Sequence, residues 1–411
     1  MNIIRNRRRF FDLGCSFWIN MNGKSRNLVL FLSFGVLCGL IVFFVYPSWN
    51  NVERIFREKS CDIETTLYYL RKNKSILVNN YTHLVANAVP IGGYDWTFTK
   101  TVPCVLNSSL FNFTRRERYQ TLISCSNSTI SVKKSLVNEK SVDQIFAFPD
   151  VCLGEVISSF CGDGKPVPNV IHYIWFGNMT FDFIYFVSIF SAHKYQKPCL
   201  IFLYYELLPS GTWWNLLRKI VDNIVLVKMR PPMMISGKRI KFVQHKSDIV
   251  RLKILKEYGG IYVDTDQYFL RSEDEFRTTN CTMGMAHDMA MGSALIFAKK
   301  DASFINKWID SYSFYDPTQW GLNSVLMATK LSQMYPAMLR VISHHCVFFP
   351  HGLVLFNQNY KWSHSYGLHI FKTGRIQELR HYNFHTIRKI NNTIGAMFRY
   401  ILFDNKELCF N

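Results

Sequence analysis

Short runs of β-branched and aromatic residues recur from residue 167 onward and are bounded by proline, glycine or polar residues. They cover residues 167–177 (VPNVIHYIWFG), 199–206 (CLIFLYYE) and 223–229 (NIVLVKM), and this pattern is typical of buried strands. Between Ser247 and Tyr258 apolar residues instead recur at helical spacing, which predicts an amphipathic helix with Ser247 as its N-cap. The pair Gly259-Gly260 is expected to end that helix.

The alternation of strands and helices continues after the double glycine. Residues 261–266 (IYVDTD) and 293–300 (SALIFAKK) are predicted strands, and residues 303–312 (SFINKWIDSY) are a predicted helix. Strands that alternate with helices predict an α/β sheet. We therefore assign residues 166–411 to one α/β domain, preceded by a stem at residues 47–165, which is rich in Asn, Ser and Thr and only weakly periodic.

Residues 27–46 (NLVLFLSFGVLCGLIVFFVY) contain no charged residue and are long enough to cross a bilayer as a helix. A cleaved signal peptide is the alternative, but the apolar stretch is too long and no small-residue cleavage site follows it. Arginines and lysines in residues 1–26 predict a cytosolic tail before this signal anchor. The rest of the chain is then expected in the secretory lumen, as in a single-pass type II membrane protein.

Glycosylation sequons and cysteines favour the same topology. Eight Asn-X-Ser/Thr sequons occur, at Asn73, Asn80, Asn107, Asn112, Asn127, Asn178, Asn280 and Asn391. Nine cysteines follow the apolar segment, and none has zinc-site spacing, so structural disulfides are expected. Because nine is odd, at least one thiol is free or links two chains as a disulfide-bonded homodimer. The net charge of +19 could suggest nucleic acid, but a luminal domain excludes that partner.

Two carboxylates, Asp264 and Asp266, end the predicted strand at residues 261–266. Side chains alternate along a strand, so both are expected to point the same way, at the strand end where open α/β sheets bind ligands. Two carboxylates so close repel each other unless a cation lies between them, and oxygen ligands suit Mg²⁺ or Mn²⁺. The alternative is a solvated pair in a turn.

The segments IHYIWFG, KSDIVRLKILKEYGGIYVDTD and SYGLHIF resemble the glycosyltransferases with a DXD sugar-binding region, a group that includes α-1,4-galactosyltransferases, α-1,4-N-acetylglucosaminyltransferases and yeast initiating α-1,6-mannosyltransferases. The resemblance covers about residues 167–371. It implies a GT-A fold, a Mn²⁺-dependent nucleotide-sugar donor and retention of anomeric configuration.

The resemblance also implies roles for individual residues. Asp264 and Asp266 would hold the metal on the donor diphosphate, with His369 completing the metal shell, and Asp264 would also face ribose or sugar hydroxyls. Asp248 and Arg251, which match the Ser-Asp-x-x-Arg of the family, would bind the donor sugar or phosphate at the rim of a pocket. Trp175 would lie beside the nucleotide base.

Each of these roles has a structural alternative that the sequence leaves open. Asp248 and Arg251 are also spaced as a surface ion pair on a helix. Trp175 can equally be a core tryptophan, and His369 a core histidine. The residues and the resemblance together predict a metal-dependent type II glycosyltransferase of the Golgi membrane. It would move a hexose or N-acetylhexosamine from a UDP-sugar to a glycan on lipid or protein. A GDP-mannose-dependent mannosyltransferase and an inactive sugar-binding membrane protein are the alternatives.

Overall fold

The computed structural model describes residues 104–105, 119–126, 129–137, 143–287, 290–350, 355–356, 365–373, 375–390, 392–403 and 407–408. The predicted tail, the predicted membrane helix at residues 27–46 and most of the predicted stem lie outside these residues. Within the part that is described, no helix combines the length and the apolar composition needed to cross a membrane.

The described strands are numbered in chain order. They are β1 (Cys104–Val105), β2 (Tyr119–Ser126), β3 (Thr129–Leu136), β4 (Ile145–Ala147), β5 (Val170–Trp175), β6 (Leu200–Tyr205), β7 (Ile224–Lys228), β8 (Met234–Ile235), β9 (Lys238–Arg239), β10 (Gly260–Val263), β11 (Gln267–Phe269), β12 (Cys281–His287), β13 (Ala290–Ala298), β14 (Arg340–Ile342), β15 (Gly367–His369) and β16 (Glu407–Leu408).

The described α-helices are numbered in the same way. They are α1 (Val151–Phe160), α2 (Phe183–Ser191), α3 (Thr212–Ile220), α4 (Val243–Tyr258), α5 (Ser303–Ser311), α6 (Met327–Met334), α7 (Ile376–Leu379) and α8 (Thr393–Phe403). Two π-helical turns, Ala192–Gln196 and Leu322–Leu326, precede β6 and α6.

A mixed eight-stranded sheet forms the centre of the molecule, with the strand order β14-β12-β13-β10-β5-β6-β7-β4. Strands β10, β5, β6, β7 and β4 run parallel, whereas β13 is antiparallel to β10. Two apolar clusters of buried residues, one holding Trp175 and the other Tyr262, form the core. The α/β class predicted from the sequence is therefore confirmed, and the parallel strands end on the side where β10 leads into Asp264.

The double glycine joins α4 to β10 in a conformation that side chains disfavour. Gly259 and Gly260 have φ angles of 67° and 106°, in the region that favours glycine. A Cβ on Gly260 would lie 2.7 Å from His172 Nε2 and 2.8 Å from the Val170 carbonyl oxygen. The close approach of β10 to β5 at this point therefore requires a glycine.

Helix α4 begins earlier than the sequence predicted. Its N-cap is Phe242, and the predicted cap Ser247 lies inside the helix. His245, one turn before Asp248, bonds Tyr315 and the carbonyl of Trp320, and these contacts extend the helix past the local capping signal. The predicted end at Gly259 is confirmed.

Residues before 166 contribute to the described structure. Strand β4 forms one edge of the central sheet, and the Cys125–Cys152 and Cys161–Cys199 disulfides tie β2 to α1 and α1 to the start of β6. The prediction of structural disulfides is confirmed by these two bridges. Among the described cysteines Cys281 is free and buried, so its thiol is not placed to link two chains.

Candidate functional site

The two aspartates of the DXD segment lie in a turn between β10 and β11. Strand β10 ends at Val263, and the Asp264 carbonyl accepts a hydrogen bond from the backbone N–H of Gln267 at 3.0 Å. The predicted position of both aspartates in a strand was therefore wrong, because residues 264–266 lie between β10 and β11. The turn, and not strand pleating, places both carboxylates on one side.

Pairing of β11 with β15 brings His369 to this turn. Gln267 lies opposite His369 in the antiparallel register, and the Asp266 carbonyl accepts the N–H of Ile370 at 3.1 Å. Strand β15 is thus a short second ribbon that carries residues from a distant part of the sequence to the end of β10.

Asp264, Asp266 and His369 form a cluster whose candidate ligand atoms all lie within 4.8 Å of one another. His369 Nε2 is 3.3 Å from Asp266 Oδ1 and 3.9 Å from Asp264 Oδ2. Both ring nitrogens of His369 are buried, and neither makes a well-aligned hydrogen bond. Two carboxylates and an unsatisfied imidazole fit a divalent cation such as Mn²⁺.

Lys372 is the principal partner of Asp266. Its Nζ lies 3.1 Å from Asp266 Oδ1, and its backbone N–H donates to Asp266 Oδ2 at 3.0 Å. Burial alone would raise the pKa of Asp266, but Lys372 and His369 outweigh it and hold this pKa well below the usual range. Asp266 therefore stays ionised and is held in a fixed orientation.

Arg251 joins the two other carboxylates of the site. Its Nη2 lies 2.9 Å from Asp248 Oδ1 and 3.4 Å from Asp264 Oδ1, and its Nη1 donates to the Ser293 carbonyl at 2.6 Å. The guanidinium also stacks on the ring of Tyr262, at 4.4 Å from its centroid. Arg251 is thus fixed on four sides.

Asp248 and Arg251 are not a pair at a pocket rim. Both residues are buried, so the predicted rim position was wrong. The physical reason is that α4 packs over β10 and β5, which covers the face that carries both side chains. Burial raises the pKa of Asp248, while the Arg251 guanidinium opposes that shift. The Ser324 hydroxyl also acts to lower the pKa of Asp248.

Trp175 lies in the core and not beside an open site. Its side chain is 1% exposed and packs edge-on against Tyr185, with ring centroids 5.0 Å apart, and against Phe181. The structure thus favours the alternative of a core tryptophan, since strand β5 is covered where this side chain projects.

Sequence reasoning missed Lys372, Tyr262 and the Ser293 carbonyl. The Tyr262 hydroxyl donates to Asp264 Oδ1, and it lies two residues before that aspartate, a spacing that predicts nothing specific. Lys372 follows His369 by three residues, and a lysine so close to a predicted metal ligand was the one available signal.

The family model described as a glycosyltransferase sugar-binding region containing a DXD motif matches residues 168–283. This match includes Asp248, Arg251, Asp264 and Asp266, whereas His369 lies outside it. Glucan organizing enzyme 1 of Cryptococcus neoformans var. grubii is 28% identical over 262 residues, which cover 57% of this chain and 71% of that protein.

Two solved structures are similar at low TM-scores. PaToxG glycosyltransferase has a TM-score of 0.31 and 22% identity, covering 42% of this chain and 72% of that chain. The galactosyltransferase LgtC, in complex with donor and acceptor sugar analogues, has a TM-score of 0.32 and 12% identity, covering 51% of this chain and 95% of that chain.

Proposed function

Because the chain is a glycosyltransferase with a DXD sugar-binding region, we propose that it transfers a hexose or N-acetylhexosamine from a UDP-sugar to a glycan on lipid or protein. The observation that carries this proposal is the cluster of Asp264, Asp266 and His369. These three residues would hold Mn²⁺ or Mg²⁺, which supplies Lewis-acid stabilisation of charge on the leaving diphosphate. A GT-A fold and retention of configuration are part of the same proposal.

The charges around the cluster support a diphosphate ligand. Asp248, Asp264 and Asp266 face two fixed cations, Arg251 and Lys372. With all three carboxylates ionised, these five groups leave one net negative charge, and a bound divalent cation reverses that sign. The site would then attract a diphosphate, while Lys372 and Arg251 keep the carboxylates from moving apart.

The Lys372 ammonium has a second role in this proposal. It lies 3.1 Å from Asp266 Oδ1 and 3.2 Å from the Thr265 hydroxyl, so it balances Asp266 before any cation binds. The third donor of the ammonium would then contact a phosphate oxygen beside the metal. The Asp248 side chain, which is fixed by Arg251 and keeps 11% of its surface exposed, would accept a hydrogen bond from a hydroxyl of the donor sugar at that exposed part.

The experiment measures binding of UDP and GDP to the purified luminal chain by calorimetry, with Mn²⁺ and with EDTA. We expect Mn²⁺-dependent binding of UDP that is lost in Asp264→Asn and Asp266→Asn and is weakened in Lys372→Met. Asp310→Asn, at an exposed aspartate of α5, is the control and should bind normally. A screen of nucleotide-sugar hydrolysis then identifies the donor.

Three results would contradict the proposal. Equal binding of UDP in Mn²⁺ and in EDTA would show that the site needs no metal to bind UDP. Tighter binding of GDP than UDP favours the mannosyltransferase alternative. Binding without hydrolysis or transfer for any donor favours an inactive sugar-binding protein.

Location in the Golgi membrane, with a cytosolic N-terminus, is also proposed. The uncharged segment at residues 27–46 and the basic residues before it support this topology. Among the described sequons, Asn178 and Asn280 are both exposed, as glycosylation requires. Unchanged gel mobility of the cellular protein after endoglycosidase treatment would contradict the luminal assignment.

A further inference from the structure

Phe371, two residues after His369, has a backbone conformation that bulky side chains disfavour. Its φ angle is 48°, in the left-handed region that glycine and asparagine occupy more readily. The side chain is not in the core either, because the residue is 40% exposed. Backbone strain of this kind persists only where the surrounding structure enforces it, and it clusters at functional sites. Neither the backbone conformation nor burial therefore explains a phenylalanine at this position.

Two hydrogen bonds to Asp266 hold the backbone on either side of Phe371. The N–H of Ile370 donates to the Asp266 carbonyl at 3.1 Å, and the N–H of Lys372 donates to Asp266 Oδ2 at 3.0 Å. The strained residue is thus fixed between two contacts to one of the proposed metal ligands. The position of the Phe371 ring is therefore tied to the cation cluster.

The Phe371 ring contacts the imidazole of His369. The two rings meet edge to face, with centroids 4.3 Å apart and an angle of 78° between their planes. Phe349 meets the same imidazole edge to face, with centroids 6.2 Å apart. Phe349 is 1% exposed, and a Cβ on Gly292 would overlap its ring, so close packing against β13 holds it in place. Two aromatic rings therefore set the plane of the imidazole.

The nitrogen of His369 that faces away from the two aspartates has no hydrogen-bond partner among the described residues. Nε2 lies 3.3 Å from Asp266 Oδ1 and so faces the cluster, whereas Nδ1 is buried and unpaired within that part of the chain. A histidine that binds a metal ordinarily donates its second ring N–H to a carbonyl or a carboxylate, and this bond fixes the ring orientation. In the described structure, ring contacts take the place of that bond.

We propose that Phe371 is a positioning residue for the proposed cation site, and that its ring holds the His369 imidazole with Nε2 directed towards Asp264 and Asp266. Phe371 acts through His369 and is not itself a ligand. An imidazole that is oriented in advance loses less conformational freedom when the cation binds, so loss of the ring should weaken binding. The inference rests on the proposed function, because it takes Asp264, Asp266 and His369 to hold Mn²⁺ or Mg²⁺.

The experiment measures the Kd for Mn²⁺ of the purified full-length protein from the EPR signal of free Mn²⁺, without nucleotide and with UDP. We expect Phe371→Gly to weaken Mn²⁺ binding about tenfold, as for other residues that orient a metal ligand. Glycine adopts a φ of 48° without strain, so this variant removes the ring and keeps the backbone conformation. Phe371→Tyr keeps the ring and should bind Mn²⁺ within about twofold of the unchanged protein. Phe160→Ala, which removes a 46% exposed ring on α1, is the control and should bind normally.

A double-mutant cycle tests whether the ring acts through His369. In His369→Ala the imidazole is absent, so adding Phe371→Gly should change the Kd for Mn²⁺ by less than about twofold. A further loss as large as in the unchanged background would show that the ring acts through another contact, and it would overturn the positioning role.

The remaining outcomes separate this inference from the proposed function. Equal Mn²⁺ affinity in Phe371→Gly and the unchanged protein overturns the positioning role and leaves the proposed cation site standing. A loss in Phe371→Tyr as large as in Phe371→Gly also overturns that role, because the ring is present in the tyrosine variant. No Mn²⁺ binding by the unchanged protein, with or without UDP, overturns the proposed cation site and this inference with it.

Discussion

Replacing Arg251 with methionine should destabilise the protein strongly. The Arg251 and Asp248 side chains are 5% and 11% exposed, so the substitution leaves Asp248 and Asp264 without their shared cation. Breaking a buried ion pair in this way costs about 3–5 kcal/mol. For a domain of this size that corresponds to a loss of about 6–20 °C in Tm. Urea unfolding followed by tryptophan fluorescence measures the free energy, and a thermal melt gives Tm.

A matched control exists on α7. Arg375 and Glu378 have the same i,i+3 spacing and lie 3.3 Å apart, but their side chains are 34% and 49% exposed. Arg375→Met should therefore cost at most about 1 kcal/mol. In Arg251→Met, adding Asp248→Asn should restore part of the loss by removing one uncompensated charge. A cost for Arg251→Met no larger than that of Arg375→Met would refute the buried network.

Two further predictions concern the junction of α4 with the sheet. Burial lowers the pKa of His172 from 6.5 to about 4. As the pH falls, the unfolded chain therefore takes up a proton at this residue before the folded protein does. The free energy of unfolding should fall by up to about 3 kcal/mol between about pH 6.5 and pH 4. Urea titrations at several pH values should show a smaller loss in His172→Gln than in the unchanged protein. An identical pH profile in the two proteins would contradict this role of His172. Gly260→Ala should cost about 2–4 kcal/mol, since it combines a positive φ with backbone and side-chain overlap. The control Gly154→Ala, whose Cβ meets only Tyr258 at 3.7 Å, should change the urea midpoint little, and equal effects of the two substitutions would refute the close-approach argument.

The strands could be predicted because apolar runs of the right length, bounded by turn residues, are nearly sufficient to define buried parallel strands. The runs at residues 167–177 and 199–206 were interpreted as strands on that signal, and the structure confirms strands within them, at residues 170–175 and 200–205. The end of α4 was predictable for the same reason, because Gly259 is a local signal. The start of α4 was not, since contacts of His245 with a loop 70 or more residues away decide it.

In the site too, features set by neighbouring residues could be predicted, and features set by distant contacts could not. The proximity of Asp264 to Asp266 follows from two residues of spacing, whatever the backbone conformation. Burial of Asp248 and Trp175 depends on which elements cover α4 and β5, and no local pattern encodes that. Pairing of β11 with β15 brings Lys372 to Asp266, which lies 106 residues earlier in the chain. Only the three-dimensional structure reveals this contact.

The pairing of β11 with β15 has a consequence for how the protein is made. A ribosome adds about 5–20 residues per second, so Asp266 is synthesised roughly 5–20 s before Lys372. During that interval the nascent turn at residues 264–266 has its two carboxylates but neither His369 nor Lys372. The proposed nucleotide-sugar site would therefore be complete only after Lys372 has been synthesised and β15 has paired with β11, and an unfinished chain would lack that site.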